Sequence, residues 1–92
     1  MLEQTAMEAR VMEIARPHLV RIPTGFDVSM NLIKAGALDS LDVLDISVSL
    51  EREFGIDFSD TEINPRNFST VQAMASLVCS KLHHRRVGGL PR

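Results

Sequence analysis

Asp39-Ser40-Leu41-Asp42 is the stretch of this chain whose residue types and order point to chemistry. It opens a run from Ser40 to Phe54 without glycine or proline, which predicts a helix with Ser40 at its start. A hydroxyl in that place lies beside backbone N–H groups that have no helical acceptor, and the positive end of the helix dipole favours a negative group attached to it. Asp39 can cap the same helix end. By itself a serine here is an ordinary capping residue, and a bare Asp-Ser-Leu is a weak signal. No histidine lies near Ser40 in sequence, so any base or metal that activates its hydroxyl must come from another protein. Cys79 and His83 stand one helical turn apart, but zinc needs three or four protein ligands and no such set assembles around them. They read as a buried small thiol and an exposed imidazole, and no metal site is expected. His18 and His84 belong to no motif. The chain shows no paired base and nucleophile and no phosphate loop, so it is not expected to be an enzyme.

The elements that must position Ser40 follow from apolar periodicity. Met7, Val11 and Ile14 form the stripe of a first helix from Leu2 to about Arg16, with Pro17 ending it or kinking it ahead of Leu19. Residues 22–38 contain Pro23, Gly25 and Gly36 and read as a long pinned loop, with Phe26, Met30 and Ile33 available to close the base of a bundle. The alternation of Val28, Met30 and Leu32 leaves a short edge strand open. In the second helix Val43, Ile46, Leu50 and Phe54 make one stripe, and Leu41, Leu44 and Val48 make another on a neighbouring face. Gly55 is the expected left-handed stop. Ser59-Asp60-Thr61-Glu62 reads as a capping box that opens a short third helix limited by Pro65. A second box, Ser69-Thr70-Val71-Gln72, opens a fourth helix carrying Val71, Met74, Ala75, Val78 and Leu82, with Lys81, Arg85 and Arg86 near its negative end.

At 92 residues and 45% apolar content, the chain has enough for one modest core and too little for a catalytic domain with a deep pocket of its own. One domain over 1–86 and a flexible tail over 87–92 are expected. No apolar run approaches the length of a membrane span. The single cysteine cannot form an internal disulfide and the acid-containing start lacks a secretory layout, so the expected compartment is cytoplasmic. Charge is uneven: residues 36–62 hold eight acids against the one base Arg52, whereas 63–92 hold five bases and no acid. The acidic centre suits a basic-surfaced partner protein better than nucleic acid.

Gly36-Ala37-Leu38-Asp39-Ser40-Leu41-Asp42, followed by a helix ending Leu50-Glu51-Arg52-Glu53-Phe54-Gly55-Ile56, resembles the acyl and peptidyl carrier protein family. The resemblance extends from the Met7, Val11, Ile14 stripe to Phe68-Ser69-Thr70-Val71-Gln72. It implies an all-α four-helix bundle with a long first loop and a short third helix. It further implies that Ser40, flanked by Asp39, bears 4′-phosphopantetheine derived from coenzyme A, whose thiol holds acyl or aminoacyl groups as thioesters. Helix II is the recognition surface in that family. Carried onto this chain, Leu41, Leu44 and Val48 are its apolar contacts, and Asp42, Asp45, Glu51 and Glu53 steer basic partners.

The implied partners are a phosphopantetheinyl transferase, an acyl- or aminoacyl-loading ligase, and acyl-transferring or condensing enzymes, all met transiently by a monomer. Lys34 stands where acids are usual in fatty-acid-synthesis carriers, and Arg52 interrupts the acidic run. In this the chain looks closer to stand-alone carriers of aminoacyl, D-alanyl or natural-product ligases, and a specialised biosynthetic role is expected. The rival reading is an unmodified helical interaction module using the helix II face. A helix-turn-helix nucleic-acid binder using Arg85, Arg86 and Arg92 fits poorly with the acidic centre.

Overall fold

The structure, a computed structural model, describes residues 2–88. Four α-helices, α1 (Leu2–Ala15), α2 (Ser40–Phe54), α3 (Pro65–Phe68) and α4 (Val71–Gly88), enclose one core, and no strand occurs among the described residues. Helix α1 lies mainly on α4 and also touches α2, while α3 packs on α4 and α2. Val11 and Ala15 of α1 are fully buried, with Met7, Met12 and Ile14 packed against the core beside them. At Pro17, which has no N–H to continue the ladder, the α-helix has already given way to a 3₁₀ turn over Arg16–His18. Leu19 follows in extended conformation and packs on the core.

The first loop is held by backbone bonds rather than by regular structure. Val20 N–H donates to Ala37 O (3.1 Å), Leu32 N–H to Ser69 O (2.7 Å), and Gln72 N–H to Val28 O (3.0 Å). Leu32 is fully buried and is the residue that seals this end of the core, with Phe26, Val28 and Ile33 partly buried around it. Phe26 and Ile33 thus pack on the core as expected, whereas Met30, equally half-buried, is not among the residues packed against it, and the alternation at 28–32 produces turns instead of a strand.

Helix α2 buries Val43, Ile46 and Leu50, with Phe54 half-covered, and stops at Gly55 in the left-handed conformation (φ 64°, ψ 40°). The Arg10 guanidinium pairs with Glu53 and lies 5.4 Å from the centre of the Phe54 ring, tying α1 to this end of α2.

Two capping signals do not act as the sequence suggests. Both bonds of the Ser59 box form, Ser59 N–H to Glu62 Oε1 at 2.8 Å and Glu62 N–H to Ser59 Oγ at 3.3 Å, yet they close only a turn. Pro65 holds the preceding Asn64 extended (φ −143°, ψ 163°), so the turn cannot run on as a helix, and α3 starts afresh with Pro65 as its first residue. Its cap is Asn64, whose Oδ1 accepts from Asn67 N–H at 2.9 Å. Ahead of α4 the cap is Thr70, whose Oγ1 accepts from Ala73 N–H at 2.9 Å; Ser69 is instead buried and offers its carbonyl to Leu32. Glu62 also pairs with Lys81 of α4 at 2.8 Å. Lys81 and the Ser59 donors hold its carboxyl below the ordinary value of 4.5.

Helix α4 continues to Gly88, two residues into the stretch expected as a tail. The rest of that stretch, with Arg92, and the side chains of Arg85 and Arg86 lie outside the described residues.

Candidate functional site

Asp39 ends the first loop in extended conformation (φ −119°, ψ −175°) and caps α2. Its Oδ1 accepts from Asp42 N–H at 2.9 Å, and Asp42 Oδ2 accepts from Asp39 N–H at 3.0 Å, a reciprocal box built entirely from residues three apart. The loop reaches this point on buried anchors, Ala37 and Leu38, so the start of α2 is fixed against the core while Asp39 and Ser40 remain exposed. Asp39 does the capping, and Ser40, the first helical residue, is exposed with no side-chain hydrogen bond among the described residues. We expect Asp39→Ala to cost about 1 kcal/mol of stability through the lost cap. A fall in the urea midpoint at unchanged slope would register it, and no change would show that the box is dispensable.

An apolar hollow of ≈ 300 Å³ opens beside Ser40, lined by Ile33, Val43, Leu44, Ile63, Asn64 and Pro65. Its walls therefore come from the first loop, α2, and the approach to α3 with its first residue. The polar atoms of Asn64 are already used, Oδ1 by Asn67 N–H and Nδ2 in a bond to Thr61 O. The hollow thus meets a guest mainly with hydrocarbon.

The second stripe of α2 lies outside the core: Leu41, Leu44 and Val48 are 69%, 50% and 45% exposed. The acids assigned to the same face differ in what they do. Asp42 belongs to the capping box, Glu51 accepts from Phe58 N–H at 2.9 Å and so holds the chain after α2, and Glu53 pairs with Arg10. Asp45 is exposed with no such bond among the described residues.

No histidine is hydrogen-bonded to Ser40 among the described residues. His18 Nε2 is 3.5 Å from Ser49 Oγ, and Ser49 is nine residues, about 14 Å, further along the helix axis from Ser40. His83 and His84 are exposed on α4. Cys79 is half-buried, less covered than expected, and burial first, with Glu3 and Glu8 adding to it, pushes its thiol above the ordinary value. Among the described residues no group of three or more His, Cys, Asp or Glu could hold a metal ion.

Residues 10–78 match the family described as "Phosphopantetheine attachment site". The chain belongs to that family of carrier proteins. It is also 34% identical over 65 residues to the "Probable acyl carrier protein PigG" of Serratia sp. (strain ATCC 39006), an alignment covering 71% of this chain and 75% of that protein. No solved structure matches. The helical bundle is the architecture expected of such a carrier, and the group it takes is 4′-phosphopantetheine. The residues present fit that group: an exposed serine at a helix start, and an apolar hollow alongside. Carrier proteins hold groups for enzymes and are not themselves catalysts. Their interactions are with the enzymes that modify them and the biosynthetic enzymes they serve. No helix among the described residues is long and apolar enough to cross a membrane.

Proposed function

We propose that Ser40 is the attachment residue of this carrier and that the chain presents thioester-bound acyl or aminoacyl groups to partner enzymes through the exposed face of α2. The observation that carries the reading is the division of labour at the head of α2, where Asp39 and Asp42 complete the cap and exposed Ser40 takes no part in it. In the loading step Ser40 Oγ forms a phosphodiester bond to the pantetheine phosphate of coenzyme A. The bond from that phosphate to adenosine 3′,5′-bisphosphate breaks, and the hydroxyl proton leaves to a base on the transferase. The field at the start of α2 favours the negative phosphodiester so formed. Once attached, the arm supplies a thiol for thioester chemistry, and a specialised rather than general fatty-acid role accords with Lys34 and Arg52.

The test is intact-protein mass spectrometry after incubation with coenzyme A, magnesium and a broad-specificity phosphopantetheinyl transferase. One added phosphopantetheine mass is expected. A folded protein that gains no mass, with this transferase or with that of its source organism, would be an unmodified interaction module.

The partner face has its own test in Asp45, which is exposed beside Leu41, Leu44 and Val48 and is spared from structural bonding. Asp45→Lys is expected to lower kcat/KM of the transferase several-fold at low salt, with the deficit shrinking as ionic strength rises. A salt-independent deficit, or none, would remove Asp45 from electrostatic steering.

A further inference from the structure

Among the described residues five large apolar side chains are exposed, and the face of α2 contributes only three of them. The other two, Val20 (73% exposed) and Ile22 (41%), lie in the first loop with exposed Arg21 between them. Single apolar residues on a surface need no explanation, but here two flank one cation in three consecutive positions. The stretch is pinned at both ends, since Leu19 before it packs on the core and Pro23 after it is buried. Val20 and Ile22 are thus held at the surface by their neighbours while burying nothing of comparable size themselves.

Two bonds tie this stretch to the approach to α2. Val20 N–H donates to Ala37 O at 3.1 Å, and Arg21 Nη2 donates to Ala35 O at 3.4 Å. Ala37 precedes Ser40 by three residues, at most about 11 Å of chain. A standard interface covers about 800 Å² of each partner, a patch roughly 30 Å across. An enzyme centred on Ser40 therefore reaches Val20, Arg21 and Ile22 within one such footprint. The charge there is opposite to that of α2. Arg21 has no ion-pair partner among the described residues, and the one acid between Arg16 and Leu38, Asp27, has Oδ2 engaged by the N–H and hydroxyl of Ser29.

We propose that Val20, Arg21 and Ile22 form a second docking flank beside Ser40, and that the transferase acting on Ser40 meets them with apolar side chains and a carboxylate for Arg21. This rests on Ser40 being the attachment residue. The transferase is the occupant because it is the partner that must reach Ser40 itself. With Asp45 on one flank and Arg21 on the other, the surface has a polarity: an enzyme that brings a base to α2 and a carboxylate to the first loop fits in one orientation, and turned half round it sets like charges together. The pinning of the stretch by Leu19 and Pro23 keeps the ordering cost of docking small.

The experiment measures attachment kinetics on the full chain with coenzyme A and the transferase of the source organism. The Val20→Ser, Ile22→Ser double variant is expected to lower kcat/KM about five- to tenfold, mainly through KM, because docking is weakened and the chemistry at Ser40 is not. Arg21→Glu should lower it several-fold at low salt, with the deficit shrinking as ionic strength rises, and Arg21→Lys should retain most of the wild-type value. All three positions are exposed, so each variant should melt within a few degrees of the wild type, which separates docking from folding.

An unchanged kcat/KM in the apolar double variant overturns the flank, and a salt-independent effect of Arg21→Glu overturns the carboxylate assigned to the enzyme. Sedimentation of each protein supplies the other occupant as an outcome: a wild-type dimer that the apolar double variant loses would give the patch to a second copy of the chain, and the transferase assignment fails. A folded wild type that gains no phosphopantetheine is a different result, since it removes Ser40 as the attachment residue, and with it the centre around which both flanks are drawn.

Discussion

Ser40→Ala is expected to abolish phosphopantetheine attachment while leaving the fold intact, with the added mass lost completely and the melting temperature within a few degrees of the wild type. Replacement of a serine at a helix end ordinarily threatens the cap, but here the cap is the reciprocal box between Asp39 and Asp42. Ser40 is exposed at the first helical residue, and alanine is the best helix former, so the change in stability should stay within about 0.5 kcal/mol. Loss of the hydroxyl removes the nucleophilic oxygen altogether, so no residual attachment is expected. Asp39→Ala supplies the opposite pattern one residue earlier: a weakened helix end with the hydroxyl still present. Mass spectrometry and thermal unfolding on both variants separate the two roles. Persistence of the added mass in Ser40→Ala would move the attachment elsewhere, and a large loss of stability would show that the hydroxyl is structural.

Phe68→Ala is expected to be the most damaging single truncation for the fold. Phe68 is completely buried on the four-residue α3, and its ring meets Phe58 edge to face with centroids 5.4 Å apart. So short a helix has almost no stability of its own and is held by what its side chains bury. Removing the ring should cost about 3–5 kcal/mol through lost burial and the cavity left behind. Small domains have only about 5–15 kcal/mol in total, and the melting temperature should fall by roughly 12–40 °C. The effect should reach function as well, because of the residues that wall the hollow beside Ser40, Ile63 and Asn64 lead directly into α3 and Pro65 is its first residue. Circular dichroism melts would read the stability and the transferase assay the site. A loss under about 1 kcal/mol would mean that the α3 region collapses around the gap with little strain.

What was legible in the sequence was what short-range physics controls. The head of α2 is capped by residues three apart, its end is a glycine that alone accepts the left-handed turn without strain, and its two apolar stripes follow from helical period. Hence Ser40, its flanking aspartate and the surplus apolar face of α2 could all be read from residue order.

The same local logic overreached at Ser59 and Ser69. A capping box specifies two hydrogen bonds, and whether a helix follows depends on the next residues: Pro65 halts one, and Ser69 is claimed by Leu32 from 37 residues earlier. Leu32 lies in a loop where its alternation with Val28 and Met30 pointed to an edge strand, so only its burial identifies it as the seal of the core. Sequence could count the acids of α2, but the bonds from Phe58 and Arg10 decide that Glu51 and Glu53 also hold the fold while Asp45 is spared. The hollow beside Ser40 is tertiary in origin too. Ile33, Val43 and Pro65 are far apart along the chain and share a wall only because the first loop and α3 are both packed against the same end of α2 and α4. Caps and periods act over a few residues and are written in order, whereas walls and charges left unpaired depend on which distant segments the core brings together.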